Sequence, residues 1–499
     1  MQACRRPITT FRSVVDVLES RGMVQATTSR ALKEHLAMPG EASSTPHQHI
    51  KRTIYSGVDP SAPSLHVGNL LPLVALLHCA IYGHKALVLI GGATGAIGDP
   101  SGRSSERSAL GTDQLTSNVT TIRAQIFQFF HNAAAYLSRR NILHAEPVLF
   151  GSCNQQSWEN ECLFQTALDI QLVNNLDWFR DIKMLDFLSS VGRYVRVNDM
   201  MARDSVKSRL FPSEGGPATT GLSFTEFSYQ LMQAYDYCYL HERMGCSVQL
   251  GGSDQMGNIM AGIDLIRRQR AAHVQNDKMS DLSMRADPAY GLTLPLLMTS
   301  SGVKFGKSAG NAVWISPALL SDLDFYQYFV RSADADVERY LTSLTFMPLE
   351  EIKQVMILHS QDRSKRVAQI CLANEMTELV RGPDALRRAQ LATKVLFDTD
   401  VNALTLEQIL YAFEGDPRLV RLTETQTMDL LRLAAEIGLV SSRSEARRLV
   451  QQGSSGLYVN NVPVKDVQAK LEPEHLLNGQ FFVMRAGKSN HKIVVLEPK

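Results

Sequence analysis

The chain has 499 residues and a mass of 55.4 kDa, enough for two to four domains with sizeable cores. Its 44% hydrophobic and 20% charged residues exclude a disordered or fibrous chain. A formal net charge of +1 excludes a grossly polybasic protein and leaves any nucleic-acid recognition to local patches.

Residues 1–11 carry Arg5 and Arg6 but no acid, which fits the start of an organellar transit peptide or a flexible tail. From Val14 to Leu36 apolar residues recur at helical spacing with a break at Gly22, predicting a short helix pair. A polar loop follows over 41–50, where His47 and His49 lack partner ligands at suitable spacing. Thr53–Val58 reads as a strand, 66–82 as a largely apolar helix, and Ala86–Ile90 as a second buried strand ending in Gly91-Gly92.

Residues 113–245 read as mostly helical, an insertion suited to substrate recognition or a subunit contact. Val248–Gly252 and Leu292–Leu296 are further strands, while 211–220 and 273–286 read as polar surface insertions. Together these elements predict an α/β, Rossmann-like doubly wound catalytic domain over 12–320, with ligands at the carboxyl ends of its strands. An α-helical domain over 321–432 and a small α+β domain over 433–499 follow. In the last domain, Ser442 or Ser444 can cap a basic helix that Gly453 stops. Arg443, Arg447 and Arg448 on that helix, with Arg485, Lys488 and Lys492 on short strands, would form a positive surface suited to folded RNA or simply a solvated charged face. The seven cysteines lack C-x-x-C spacing and read as thiols of a reducing compartment, and no apolar run reaches the roughly 18 residues of a membrane span.

Two separated sequences have phosphate-handling chemistry. Ser61-Ala62-Pro63-Ser64-Leu65-His66-Val67-Gly68-Asn69 puts an imidazole and small residues where a strand turns into a helix, whose free N–H groups favour an anion. Lys304-Phe305-Gly306-Lys307-Ser308 offers two ammonium groups on a Gly-containing loop, able to neutralise a leaving pyrophosphate. The loop Gly91–Arg103 is Gly-rich but lacks the ending of a Walker loop; its specific features are Asp99, suited to a substrate ammonium, and Arg103 and Arg107, which would face phosphates or RNA. Tyr229, Gln233 and Asp236 fall at i, i+4 and i+7, on one face of a helix: a polar pocket wall or a solvent-facing stripe. Asp254 in Gly251-Gly252-Ser253-Asp254-Gln255 ends a strand where an acid can read a ribose. No nucleophile and base pair accompanies these groups, so activation by positioning is expected.

With these residues, with Tyr55-Ser56-Gly57-Val58-Asp59-Pro60 and with Gln233-Ala234-Tyr235-Asp236, the chain from about residue 12 to its end resembles tyrosyl-tRNA synthetases of the bacterial and mitochondrial type, a class I aminoacyl-tRNA synthetase family. The H-I-G-H signature appears as His66-Val67-Gly68-Asn69, with Asn at its last position, and K-M-S-K-S as Lys304-Phe305-Gly306-Lys307-Ser308. The resemblance implies that Tyr55 and Asp236 hold the phenol of tyrosine, that Asp99, Tyr229 and Gln233 hold its ammonium, and that Gln255 positions its carboxylate. It implies Ser56, Gly57, Asp59, Gly68 and Asp254 at the nucleotide, and Ser61, His66, Asn69, Lys304 and Lys307 at the reacting phosphates. Arg103, where Lys is common, and Arg107 join Arg443, Arg447, Arg448 and Lys488 as RNA-side residues. The implied substrates are ATP, with Mg²⁺ carried by the nucleotide and no tightly bound protein metal, L-tyrosine and tRNA(Tyr). A homodimer through the connective region, away from membranes, is expected in the mitochondrial matrix or in a bacterial or other cytoplasm. An RNA-binding or intron-splicing role on the same fold, with or without synthetase activity, is the alternative; a nucleotidyltransferase not acting on tRNA is disfavoured by the helical and basic C-terminal regions.

Overall fold

The computed structural model describes residues 13–37, 50–101, 110–143, 162–164, 168–210, 221–277, 287–302, 305, 307–308, 311–397, 405–422, 429–451, 456–487 and 490–496. Residues 1–11, His47, His49, Arg103, Arg107, the stretch 211–220, Lys304, Gly453 and Lys488 lie outside the described residues. Of the other expected insertion, residues 273–277 belong to the end of the helix Met256–Asp277 and 278–286 lie outside the described residues. The chain packs as two compact units, 1–316 with 329–380, and 317–328 with 381–499. Three helices of the expected helical stretch, Asp334–Leu344, Leu349–Gln361 and nearly all of Val367–Arg381, therefore pack with the first unit.

The first unit is built on a seven-stranded sheet. Its strands are β1 (Ala26–Thr27), β2 (Thr53–Val58), β3 (Lys85–Ile90), β4 (Cys162–Phe164), β5 (Asp169–Asn174), β6 (Cys246–Gly252) and β7 (Tyr290–Leu294), in the order β1-β7-β6-β2-β3-β5-β4. The five central strands are parallel and the two edge strands antiparallel. Runs such as Ala86-Leu87-Val88-Leu89-Ile90 are buried throughout, as strands covered on both faces require. This is the Rossmann-like α/β fold expected from the strand and helix rhythm. The described part of the insertion 113–245 is mostly helical, as expected, but between the helices Thr112–Arg139 and Phe224–Met244 it also supplies β4 and β5, and β5 pairs with β3 inside the sheet.

Chain order runs outward from β2 through β3 to β5 on one side and from β6 to β7 on the other, so the topological switch lies between β2 and β6. The two strands separate there. Their register ends at Tyr55–Gln249, whereas β2 continues beside β3 as far as Val58–Ile90. A crevice at the carboxyl ends of these strands is where ligands bind in such sheets.

The second unit holds a five-stranded sheet. After a small hairpin of the first unit, β8 (Lys307–Ser308) and β9 (Asn311–Ala312), come β10 (Leu419–Leu422), β11 (Leu457–Val459), β12 (Val462–Pro463), β13 (Phe481–Ala486) and β14 (Asn490–Leu496), ordered β10-β14-β13-β11-β12. Strand β10 pairs with β14, and Leu396 and Phe413 share a core with Phe481 and Ile493. The expected division at 432 thus runs through one packed sheet and core.

Candidate active site

The amino-acid end of the crevice begins with the helix Phe224–Met244, started by Ser223 accepting a hydrogen bond from the Glu226 amide and ended by Gly245 in the left-handed region. Its polar stripe faces inward: Asp236 is 1% exposed and Tyr229 is 5% exposed, which rules out a solvent-facing stripe. Asp236 accepts hydrogen bonds from Asn175 Nδ2 at 3.0 Å and Trp178 Nε1 at 2.8 Å. Burial pushes its carboxyl up to about 8, against those two hydrogen bonds, which pull it down. Tyr55 from β2 is 1% exposed, and its hydroxyl has no hydrogen-bond partner among the described residues. Burial, reinforced by the neighbouring Asp236 charge, holds its ionisation well above the ordinary tyrosine value, so it remains a neutral phenol. A buried hydroxyl without a partner is costly, and a ligand hydroxyl between it and Asp236 would remove that cost.

Asn175 and Trp178 are not legible in the sequence as site residues, since the strand that precedes them reads there as part of a helical insertion. Asn175 also donates to Thr94 Oγ1 at 2.9 Å, and Thr94 donates to Asp59 Oδ1 at 2.9 Å. The other oxygen of Asp59 accepts from the Tyr229 hydroxyl at 2.7 Å. Asp59, expected at the nucleotide, therefore has both carboxylate oxygens on the wall of the amino-acid pocket. Tyr229 spends its proton on Asp59 and keeps its oxygen lone pairs for an ammonium. The Gly-rich turn after β3 serves this network: a Cβ on Gly91 would stand 2.1 Å from Asp59 Oδ1 and 2.4 Å from Thr94 Oγ1. Close packing against Asp59, rather than phosphate cradling, explains that glycine.

Asp99, Gln233 and Gln255 come together as expected. Gln255 Nε2 donates to Asp99 Oδ2 at 2.7 Å, and Gln255 Oε1 accepts from Gln233 Nε2 and Asn258 Nδ2, both at 3.2 Å. The Gln233 carbonyl is buried without a partner, a second orphan acceptor and one suited to an ammonium. Gln255 retains one amide hydrogen for a carboxylate. Asn258 joins the set and escapes sequence reasoning because it lies one helical turn beyond the recognised motif.

The phosphate end is differently made. His66 caps a short 3₁₀ turn, Val67–Asn69: its Nδ1 accepts from the Gly68 amide at 3.0 Å, while Asn69 Oδ1 accepts from the His66 amide at 3.0 Å. Asn69 at the last signature position thus holds the turn that carries His66. A residue of the second phosphate sequence lies against it, because a Cβ on Gly68 would come 3.1 Å from the Phe305 carbonyl. Downstream, the Val67 amide donates to Val313 O at 2.9 Å and the Ile315 amide to Leu65 O at 3.0 Å, with a bridge between His66 and Trp314. The two signatures, far apart in sequence, share one end of the crevice. The backbone of Lys307 lies in β8. Ser56 is buried on β2, Ser61 is exposed, and a Cβ on Gly57 would meet nothing within 4 Å, so open space adjoins the β2 end. Asp254 is exposed beyond β6, and Gly252 admits its carboxylate, which would stand 2.6 Å from a Cβ there. Among the described residues no group of three or more His, Cys, Asp or Glu is placed to hold a metal.

In the second unit, Ser442 caps the helix Arg443–Gln451 by accepting from the Glu445 amide. Arg447 and Arg448 are exposed on it, but Arg443 is engaged by Asp429, which also caps the helix Leu430–Glu436. Arg485 lies 3.7 Å from the ring centroid of Tyr458, and Lys492 donates to Pro417 O at 2.9 Å. The Arg443 side chain nonetheless remains 57% exposed, so three arginines of this helix face solvent.

A crevice with a buried polar wall at one end and two adjoining phosphate sequences at the other fits a class I aminoacyl-tRNA synthetase. Residues 47–398 match the family model for class I tRNA synthetases (W and Y), and residues 408–494 match the tyrosine–tRNA ligase SYY-like C-terminal domain. The chain is 39% identical over 499 residues to the chloroplastic/mitochondrial tyrosine–tRNA ligase of Arabidopsis thaliana, covering 99% of this chain and 84% of the relative. It is 38% identical to the mitochondrial tyrosine–tRNA ligase of Drosophila melanogaster, covering 89% and 87% of the two chains. A C-terminally truncated mitochondrial tyrosyl-tRNA synthetase of Aspergillus nidulans matches with a TM-score of 0.64 and 33% identity, over 77% of this chain and 94% of that one. The chain belongs to the tyrosyl-tRNA synthetase family.

Proposed function

We propose that this protein is a tyrosine–tRNA ligase serving mitochondrial translation. The observation that carries the tyrosine assignment is the partnerless Tyr55 hydroxyl beside the buried Asp236, a pair that a phenol hydroxyl would satisfy on both sides. The substrate ammonium would lie among Tyr229, Gln233 and Asp99, and Gln255 would orient its carboxylate. That carboxylate oxygen bonds to the α-phosphorus of ATP as the bond to the β-phosphate bridging oxygen breaks, and pyrophosphate leaves. A terminal ribose hydroxyl of tRNA(Tyr) then displaces AMP from the adenylate. No side-chain nucleophile is needed; His66, Lys304 and Lys307 would stabilise charge that grows on the departing phosphates. Magnesium carried on the nucleotide would add positive charge at those phosphates.

Met184, Leu185 and Phe224 are 70%, 80% and 74% exposed, with Leu188 and Val197 also exposed, the kind of apolar surface a partner covers. We assign that surface to a homodimer, and Arg447 and Arg448 to tRNA. A mitochondrial matrix location rests on the acid-free, arginine-bearing start and on the organellar names of the relatives above.

Pyrophosphate exchange across the twenty amino acids, followed by charging of organellar and bacterial tRNA, tests the activity; exchange that prefers another amino acid would overturn it. Phe224→Asp is expected to yield monomers in sedimentation. Import of the full chain into isolated mitochondria, lost on removal of residues 1–12, tests the location.

A further inference from the structure

The second phosphate sequence is tied at its upstream side to a helix that the catalytic assignment does not use. Ser300, just before that sequence, donates both its backbone amide and its hydroxyl to Asp336 Oδ2, each at 3.0 Å. Asp336 lies in the first turn of the helix Asp334–Leu344 and is 3% exposed. Its other oxygen accepts from Arg339 Nη2 at 3.0 Å, and Arg339 also donates to the Met298 carbonyl. One turn further along this face, the Tyr340 ring packs on Phe305 with centroids 4.5 Å apart. Phe305 is 4% exposed, and its amide donates to Leu297 O at 2.8 Å.

One buried carboxylate thus collects two hydrogen bonds from the strand-side flank of the loop and an arginine that grips the same flank. The loop residue next in line, Phe305, rests on the same helix and presents its carbonyl to Gly68. We propose that Asp336, with Arg339 and Tyr340, is a positioning residue for pyrophosphate release: it fixes Met298, Ser300 and Phe305, the flank of the sequence whose lysines are assigned above to the departing phosphates. This rests on the ligase reading above. Charge-assisted hydrogen bonds to a buried carboxylate are the strong kind, and a catalytic lysine that loses its fixed flank loses stabilisation of the transition state more than binding of either ground state.

The test uses the full-length enzyme and tyrosine-dependent pyrophosphate exchange. Asp336→Asn is expected to lower kcat about tenfold, as for loss of one preorganised electrostatic contact, with the KM for tyrosine unchanged within about twofold. On a Lys307→Ala background the same substitution is expected to cost less than about twofold, because the two residues act through one loop. Equal losses on both backgrounds, or a loss carried by the KM for tyrosine, would overturn the proposal. If Asp336→Asn fails to fold by circular dichroism, Ser300→Ala and Arg339→Met are read the same way on the same two backgrounds. Wild-type exchange with tyrosine tests the ligase reading alone, while only the variant ratios test the anchor.

Discussion

The two ends of the crevice solve recognition by different means. At the amino-acid end Asp236, Tyr55, Asn175, Trp178, Asp59 and Tyr229 form a wall of side chains, most of them buried and linked by hydrogen bonds. At the phosphate end the structure offers a capped imidazole, the exposed Ser61, the open space at Gly57, and main chain where β2 has parted from β6. A ligand at the first end must match fixed polar groups, whereas an anion at the second needs only closely approachable N–H groups and cations. Specificity is therefore concentrated in one end and electrostatic stabilisation in the other.

The comparison breaks most readily at Asp236. Asp236→Ala removes a buried carboxyl partner and leaves the Asn175 and Trp178 donors buried, and we expect kcat/KM for tyrosine to fall about a hundredfold, near 3 kcal/mol, with selection against phenylalanine relaxed. Unchanged preference for tyrosine in an adenylation assay would remove Asp236 from specificity. Tyr55→Phe should cost roughly tenfold in the tyrosine-over-phenylalanine ratio. Because the lost hydroxyl has no partner among the described residues, thermal stability should hold or rise; a clear fall in Tm would mean that this hydroxyl is satisfied without substrate.

At the other end, His66→Ala should lower kcat for adenylate formation about tenfold, while direct tyrosine binding is unaltered. A matching loss of tyrosine affinity would show that the ends are not separable. Gly57→Ala, which meets open space, should leave folding intact and raise the KM for ATP by about threefold, the effect of a methyl group intruding on a ligand. A separate signal is in pH. With the Asp236 carboxyl pushed up to about 8, the native state keeps a proton that the unfolded chain releases near pH 4. Between those values the unfolded state binds fewer protons, so this group makes stability fall as pH rises. Asp236→Asn should flatten that slope in denaturant titrations from about pH 5 to 8; parallel slopes for the two proteins would refute the buried proton.

Much of this site is legible in the sequence because its residues occur in short local patterns. Thr53–Val58 is recognisable from its β-branched and aromatic residues, and the spacing of Tyr229, Gln233 and Asp236 by itself puts three polar groups on one helix face. What escapes depends on contacts made across the sheet. Asp169-Ile170-Gln171-Leu172-Val173-Asn174 is a six-residue run with polar ends, too short to separate strand from helix by period. Without β5, Asn175 and Trp178 have no assigned position. Asp59 can be placed near the crevice, but which wall its carboxylate faces depends on Thr94 and Tyr229, 35 and 170 residues away. Arg443 is the exposed cation that its sequence suggests, but its pairing with Asp429 escapes because that partner belongs to another helix cap.

The parting of β2 from β6 after Tyr55 has a consequence for genetics. A binding surface made of peptide groups is shared by nearly every side chain that could stand there, so substitution scans would score the main-chain positions of the phosphate end as tolerant wherever no methyl group intrudes. The same scan would find the tyrosine wall intolerant at almost every position. Inherited loss-of-function alleles should accordingly cluster on the wall assigned to the amino acid and at His66, Lys304 and Lys307, and drift should accumulate at the main-chain positions between them.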